Sequence, residues 1–205
     1  MGAKTTIYLV RHAQSHPTNR LDEREWPLSE LGQQQAQRLS PLLESLDIDH
    51  IVSSPYTRCL DTIRPFADSS GLNIAIDHGL RERRITLKLR KDFEEILARS
   101  WEDFSFALPG CESSGAAQRR IRPTIEKIIA EYPGRNVAVC SHGNAISLML
   151  NGLDSRFGLD EMWSLRNPDV VCLTADAGGI RRDNDFDLPG LHQMATPHKE
   201  SPIEW

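Results

Sequence analysis

TTIYLVRH, residues 5–12, is the stretch from which the fold of this chain can be predicted. Its β-branched and apolar side chains run almost continuously to Val10, as in a strand buried on both faces of a sheet. Arg11 and His12 follow directly. Residues 136–140 (NVAVC) form a similar run shortly before His142. Ligands of open α/β sheets bind at the carboxyl ends of the strands, so we expect both histidines at that edge.

The rest of the chain alternates between strand and helix patterns. Further strands are predicted at 48–53, 73–77 and 170–175, and helices at 29–46, from 54 onward, at 113–132 and at 142–150. This alternation predicts an α/β three-layer sandwich, in which a mostly parallel central sheet is flanked by helices.

Two segments depart from that alternation. Segment 80–113 is rich in charged and aromatic residues, and we interpret it as a small helical cap over the carboxyl edge of the sheet. The chain after 178 is polar and lacks periodicity. The predicted organisation is therefore one domain over residues 1–177, with the cap inserted at about 80–113, and a polar C-terminal tail over 178–205.

Composition narrows the possible functions. The chain has 205 residues, 39% hydrophobic and 26% charged, which is typical of one globular domain. A net charge of -5 gives no general electrostatic reason to expect nucleic acid as a partner. No apolar stretch reaches the roughly 18–20 residues of a membrane helix, and no signal peptide is recognisable, so we expect a cytoplasmic protein without a membrane partner. The oligomeric state cannot be predicted.

Metal and redox chemistry are not indicated by the sequence. The four cysteines are scattered without a CxxC pair, so we expect reduced thiols rather than a zinc site or a redox motif. Neither predicted site histidine has a neighbouring carboxylate at ligand spacing. We therefore expect no metal and no cofactor.

Four residues predicted at the carboxyl edge of the sheet suit one class of ligand. They are Arg11, His12, Arg58 and His142. Guanidinium groups offer planar, bidentate donors to phosphate oxygens, and a neutral imidazole can attack phosphorus. The sequence therefore predicts a site for a phosphoryl group.

Several segments, taken in order, resemble the motifs of the histidine phosphatase superfamily, also called phosphoglycerate mutase-like. LVRHAQS (9–15) resembles the signature of the family, and LSELGQQQA (28–36) resembles its helix start. SSPYTR (53–58) resembles its S-S-P-x-x-R motif, and LRE (80–82) resembles its L-x-E motif. SHG (141–143) resembles the segment of its second histidine, and PGCES (109–113) resembles its G-G-E-S turn. The resemblance covers roughly residues 5–176. The sequence departs from the family pattern at three positions. Ala13 and Cys111 each replace a residue that is usually Gly. Thr18 replaces a residue that is usually Asn, and the next residue in this chain is Asn19.

The resemblance implies a histidine acid-type phosphatase, a phosphoric monoester hydrolase acting on a small phosphorylated metabolite. By this resemblance His12 is the nucleophile that becomes phosphohistidine, and Glu82 is the general acid. The remaining implied site residues bind the phosphoryl oxygens: Arg11, Arg58, His142, Ser15 and Thr18, with Asn19 as an alternative to Thr18.

Other interpretations remain open from the sequence. A phosphoglycerate mutase would use the same residues, a protein phosphatase would act on phosphorylated side chains, and a non-catalytic module would only bind phosphate. Glu82 stands among arginines, so a surface ion pair is its alternative role. The basic run 81–91 is interpreted as a solvated helix face or as a selector of anionic substrates. The aromatic residues at 93, 101, 104 and 106 are interpreted as the core of the cap.

Overall fold

The computed structural model describes residues 4–197, and the part of the predicted tail at 198–205 lies outside them. It contains one six-stranded sheet, whose strand order is β3-β2-β4-β1-β5-β6. The strands are β1 (Thr5–Arg11), β2 (His50–Ser53), β3 (Ile74–Ile76), β4 (Asn136–Ser141), β5 (Asp169–Asp176) and β6 (Gly179–Arg182). The helices are α1 (Glu30–Glu44), α2 (Thr57–Ser70), α3 (Phe93–Glu102), α4 (Ser114–Glu131), α5 (Gly143–Leu153), α6 (Leu159–Ser164) and α7 (Leu191–Met194).

The sheet is mostly parallel, as predicted. β4 pairs in parallel with both β1 and β2, and β2 pairs in parallel with β3. β5 pairs antiparallel with β1 and with β6, so β5 is the strand that runs against the others. Because β4 lies between β2 and β1, the carboxyl ends of these three strands are neighbours.

Helices cover both faces of the sheet, which confirms the three-layer prediction. On one face Leu39 of α1 and Ile63 of α2 pack with Val10. On the other face Ile125 of α4 and Met149 of α5 pack with apolar strand residues. Both faces of β1 and β4 are thus buried, which explains their nearly continuous apolar sequences. No helix within residues 4–197 is long and apolar enough to cross a membrane.

Helices α1 and α4 each begin directly after the serine that caps them. Ser29 accepts a hydrogen bond from the backbone N–H of Gly32 at the start of α1, and Ser113 accepts one from Ala116 at the start of α4. Gly32 itself is required by packing, since a Cβ there would lie 1.9 Å from the carbonyl oxygen of Gln14.

The cap is less helical than predicted. Only α3 is an α-helix within it, and residues 81–92 form an irregular strap over the sheet edge. Contacts distant in sequence hold this strap: Leu89 donates its N–H to Oδ1 of Asn19, and the carbonyl of Arg84 accepts from Glu112. Tertiary hydrogen bonds therefore override local helix propensity here.

The basic run 81–91 is not a uniform solvated face. Arg83 is buried, and its guanidinium donates to the hydroxyls of Ser114 and Ser100, the latter over 2.7 Å. Burial lowers the pKa of Arg83 to about 10. Of the aromatic residues in the cap, Trp101 packs edge-on against Phe104 as expected, whereas Phe93 lines the cavity beneath the cap.

The chain after 178 differs from the predicted polar tail. Residues Gly179–Arg182 form β6, which follows β5 after a turn at residues 177–178 and pairs with it; the φ of Gly179 is 101°. Leu188, Leu191 and Met194 are buried against the α1–α2 face of the sheet. A four-residue edge strand and three widely spaced apolar residues leave no periodic pattern in the sequence, so periodicity did not indicate these contacts.

Candidate active site

Residues from three neighbouring strand ends meet at the carboxyl edge of the sheet. His12 follows β1, His142 follows β4, and Arg58 lies in the first turn of α2 after β2. The backbone N–H of His12 donates to the carbonyl of Ser141 over 3.1 Å, so the two histidine loops are joined directly. The ring centroids of His12 and His142 are 5.2 Å apart. The structure thus brings together residues that are distant in the sequence.

The protonation of the His12 ring follows from its neighbours. Nδ1 lies 2.7 Å from the backbone carbonyl of Ala13, which can only accept, so Nδ1 carries the proton. Nε2 is then an acceptor, and Nε–H of Arg58 donates to it over 3.2 Å. Arg58 also donates through NH1 to the carbonyl of Glu23 over 2.6 Å. The guanidinium is therefore fixed beside the nitrogen lone pair.

His142 is fully buried beneath His12. Its Nε2 is hydrogen-bonded to the hydroxyl of Ser54 over 2.8 Å, and Sγ of Cys59 lies 3.4 Å from the same nitrogen. Burial lowers the pKa of His142 well below its usual value, and the positive charge of Arg58 lowers it further. The imidazole is consequently neutral at physiological pH.

The buried guanidinium of Arg11 is held by a backbone carbonyl and by close packing against a glycine. Its NH1 donates to the carbonyl of Leu165 over 2.7 Å. Burial lowers the pKa of Arg11 to about 10, and the nearby carboxylates of Glu82 and Asp169 oppose that shift. The side chain therefore stays charged at neutral pH. A Cβ on Gly143 would lie 2.8 Å from Cζ of Arg11, so the glycine after His142 makes room for the guanidinium.

Glu82 is held at the N-terminus of α5. Its Oε1 accepts from the backbone N–H groups of Arg83 and Ala145, and its Oε2 accepts from that of Asn144. A carboxylate suits this position because it satisfies helix N–H groups that lack an intrahelical partner. Its partners are backbone groups of the site rather than the surface arginines that the alternative interpretation required.

The remaining predicted site residues lie in the loop between β1 and α1. Ser15 and Thr18 are buried and line the same cavity as His12. Asn19 also lines the cavity but is exposed, and its Oδ1 is engaged by the N–H of Leu89 in the cap. Thr18 and Asn19 thus occupy different positions, one toward the floor and one at the contact with the cap.

Sequence reasoning missed several residues that support the site. Asn167 donates through Nδ2 to the carbonyl of His12 over 2.9 Å, across 155 positions of sequence. Ser54, which contacts His142, stood inside the quoted S-S-P-x-x-R motif and could have been found there. Glu23 is a half-buried carboxyl beside Tyr56, and desolvation by partial burial is the main cause that raises its pKa. No motif in the sequence signals Glu23 or Asn167.

The cavity above these groups measures about 630 Å³. Arg11, His12, Arg58 and Glu82 line its inner end, and the cap strap and the loop between β1 and α1 form its walls. An inner end with two guanidiniums, an unprotonated imidazole nitrogen and a carboxyl can bind a phosphoryl group, attack it and exchange a proton. Within the described residues 4–197, no three His, Cys, Asp or Glu side chains are grouped as a metal site requires.

Comparison with known proteins identifies relatives over most of this fold. Residues 7–183 match the family model described as histidine phosphatase superfamily (branch 1). A protein of Mycobacterium tuberculosis described as bifunctional is 31% identical over 170 residues, which is 77% of this chain but 47% of that protein. The chain thus spans about half the length of this curated relative.

Two further comparisons concern phosphoryl-transfer proteins. A probable phosphoglycerate mutase of Erwinia tasmaniensis is 24% identical over 156 residues, covering 71% of this chain and 73% of that protein. The solved structure of a mycobacterial glucosyl-3-phosphoglycerate phosphatase superposes with a TM-score of 0.70 at 25% identity, covering 88% of this chain and 97% of that one.

Proposed function

Because the chain belongs to the histidine phosphatase superfamily, branch 1, we propose that it hydrolyses phosphomonoesters in two steps through a phosphohistidine at His12. The state of the His12 ring carries the proposal. Its Nδ1 is engaged by a carbonyl, and its Nε2 holds a lone pair at the inner end of the cavity beside Arg58. The mycobacterial phosphatase of similar fold supports hydrolysis as the reaction.

In the first step, Nε2 of His12 forms a bond to phosphorus while the bond from phosphorus to the ester oxygen breaks. Glu82, in its protonated form, gives its proton to the leaving oxygen, and the free alcohol departs. Arg11 and Arg58 stabilise the negative charge spread over the other phosphoryl oxygens. His142 does not line the cavity, but its ring centroid lies 5.2 Å from that of His12, and we assign it a further hydrogen bond to the phosphoryl group.

In the second step, Glu82 is a carboxylate and takes a proton from water as the water oxygen bonds to phosphorus. The bond between phosphorus and Nε2 breaks, which releases inorganic phosphate and restores the neutral imidazole. Backbone N–H groups of Asn144 and Ala145 hold the carboxylate in one orientation through both steps. We assign Ser15 and Thr18 as additional phosphate donors, since both are buried in the wall of the cavity.

The second candidate function is a phosphoglycerate mutase, because a probable mutase is among the relatives. A mutase must exclude water from phosphohistidine until the group returns to a second hydroxyl. We favour hydrolysis because Leu21 in the loop between β1 and α1 and Leu87 in the cap strap both line the cavity and are exposed, so water reaches its mouth.

The deciding experiment offers the enzyme 3-phosphoglycerate with and without 2,3-bisphosphoglycerate, and an aryl phosphate in parallel. We expect phosphate release to exceed formation of 2-phosphoglycerate. If isomerisation is faster than phosphate release, the mutase interpretation is correct. If the protein binds phosphate but turns over no ester, it is a binding module. We expect activity to survive a chelator, and its restoration by a divalent ion would contradict a metal-independent mechanism.

We also propose a cytoplasmic enzyme of the histidine acid type, acting on a small phosphorylated substrate without nucleic acid. All four cysteines fall within the described residues and are free thiols, which suits a reducing compartment. Measuring activity against a phosphopeptide beside small phosphomonoesters would test the substrate size. Faster turnover of the peptide would favour a protein phosphatase instead.

A further inference from the structure

The cavity has two chemically different regions. Its inner end carries the charged groups described above, whereas much of its outer wall is apolar. The apolar side chains of that outer wall include Leu21, Trp26, Leu87, Leu89, Phe93 and Trp163. A volume of about 630 Å³ is in the range that holds an organic molecule of drug size and is much more than a phosphate group needs. The outer part of the cavity, beyond the phosphate, therefore suits the apolar organic group of an ester.

Two exposed leucines mark the mouth of this cavity. Leu21, in the loop between β1 and α1, is 46% exposed, and Leu87, in the cap strap, is 65% exposed. They come from two different segments of the chain, and both line the cavity. Within residues 4–197, four large hydrophobic side chains are at least 41% exposed, and two of them, Leu21 and Leu87, line this one cavity. Such clustering is typical of a ligand-binding surface rather than of scattered surface residues.

Carboxylates already neutralise two of the cations near the mouth. Nε of Arg84 lies 3.6 Å from Oε1 of Glu23, and its NH2 lies 3.9 Å from Oδ2 of Asp22. Arg90 forms an ion pair with Asp92 over 2.7 Å. A second anionic group that binds at Arg84 or Arg90 would have to compete with these carboxylates, whereas an apolar group meets no such competitor there.

We propose that the substrates are phosphate monoesters of alcohols that carry an extended apolar or aromatic group, and that Leu21 and Leu87 determine this specificity. The inference rests on the proposed phosphatase function and deepens it. The phosphoryl group occupies the inner end beside His12, and the apolar part of the alcohol lies between the loop and the cap strap. Compact metabolites with a second charge, such as phosphoglycerate, are poorer substrates.

The test uses straight-chain alkyl phosphates from ethyl to octyl, kept below the concentration at which they aggregate. Their leaving groups have nearly the same reactivity, so differences in kcat/KM report contacts beyond the phosphate. Burying each methylene should raise kcat/KM by about threefold until the cavity is filled. We also expect octyl phosphate to exceed 3-phosphoglycerate in kcat/KM.

One double variant and a matched control show where the effect arises. In the double variant Leu21→Ser, Leu87→Ser, the ratio of kcat/KM between octyl and ethyl phosphate should fall at least about fivefold. Ile76→Ser is the control, because Ile76 is 47% exposed on the edge strand β3 and does not line the cavity. It should leave the ratio unchanged. All three side chains are exposed, so none of the substitutions opens a hole in the core.

Titration with non-hydrolysable alkylphosphonates separates this inference from the proposed function. If no ester is hydrolysed but the dissociation constants still fall as the chain lengthens, the phosphatase proposal fails and the apolar specificity stands. If esters are hydrolysed with no dependence on chain length, or 3-phosphoglycerate is preferred, the apolar specificity fails and the phosphatase proposal stands. A double variant that keeps the wild-type ratio would also overturn the assignment of Leu21 and Leu87.

Discussion

Arg58 donates its Nε–H to Nε2 of His12 over 3.2 Å, so a guanidinium lies beside the nitrogen that we propose attacks phosphorus. The same side chain is held on its other side by the carbonyl of Glu23. An incoming phosphoryl group would replace the imidazole nitrogen as the acceptor of the Nε–H. The contact therefore holds the attacking nitrogen and the phosphate-binding guanidinium next to each other before substrate binds.

Replacing the nucleophile should abolish turnover. His12→Ala should lower kcat by several orders of magnitude, because no other group supplies the attacking lone pair. Wild-type enzyme quenched rapidly without acid should carry phosphate on His12, detectable by mass spectrometry. His78→Ala is the control and should keep normal rates. A His12→Ala variant with near-normal activity would refute the phosphohistidine mechanism.

A lysine cannot replace Arg58. Arg58→Lys keeps the charge but cannot contact both His12 Nε2 and the carbonyl of Glu23, so we expect kcat/KM to fall roughly 10- to 100-fold. Arg58→Ala should cost about 2–4 kcal/mol of transition-state stabilisation. Arg64→Lys, at an exposed position on the same helix, is the matched control. Equal behaviour of the two lysine variants would exclude Arg58 from phosphate binding.

Glu82 should matter most for poor leaving groups. Glu82→Gln removes the proton donor but keeps the shape, so alkyl phosphates should lose far more activity than aryl phosphates. The comparison is the ratio of kcat/KM for the two ester classes. Glu112→Gln is a suitable control, because Glu112 is paired with Arg120 and does not line the cavity. Equal losses on both esters would point to another acid, for which Glu23 is the next carboxyl in the cavity.

Gly143 should be intolerant of a side chain. In Gly143→Ala the new Cβ would lie 2.8 Å from Cζ of Arg11, so the guanidinium must shift, and we expect kcat/KM to fall at least about tenfold. Gly152→Ala in the same helix meets only the flexible side chain of Gln118, at 3.4 Å. That control should retain activity and gain up to about 1 kcal/mol of stability. Similar activities for the two variants would show that the position of Arg11 is not critical.

The buried His142 should make the fold sensitive to acid. Burial lowers its pKa in the folded protein well below the usual value of 6.5, so as pH falls through 6.5 the unfolded chain takes up a proton that the folded protein does not. This residue therefore removes stability below pH 6.5, by up to about 1.4 kcal/mol per pH unit, until the pH reaches the folded pKa.

The measurement is urea unfolding of wild type and His142→Asn at pH 7.5, 6.5 and 5.5. The difference between their free energies of unfolding should shift with pH as stated. Half-buried carboxyls such as Glu23 and Asp169, whose pKa values desolvation raises, are present in both proteins and cancel in this difference. Parallel pH profiles for the two proteins would contradict the prediction.

The placement of the histidines could be predicted because it depends on local patterns. Apolar runs such as TTIYLV and NVAVC can only be buried as central strands, and the residues that follow such strands lie at one edge of the sheet. Four of the predicted site residues are fixed in this way: Arg11, His12, Arg58 and His142. The short edge strand β6 left no such pattern, because its pairing with β5 stabilises it rather than its own sequence.

The sequence by itself predicted five of the six strands, the helices α1, α2, α4 and α5, and which residues follow the strands at the carboxyl edge, since these depend on periodicity and residue type over a few neighbours. Only the tertiary structure decided how Glu82 meets the N-terminus of α5, how Asn167 reaches the carbonyl of His12, and which apolar side chains line the cap. Glu82 and Ala145 are 63 positions apart, and Asn167 and His12 are 155 apart. Contacts over such separations arise from the packing of whole elements, which no local pattern encodes.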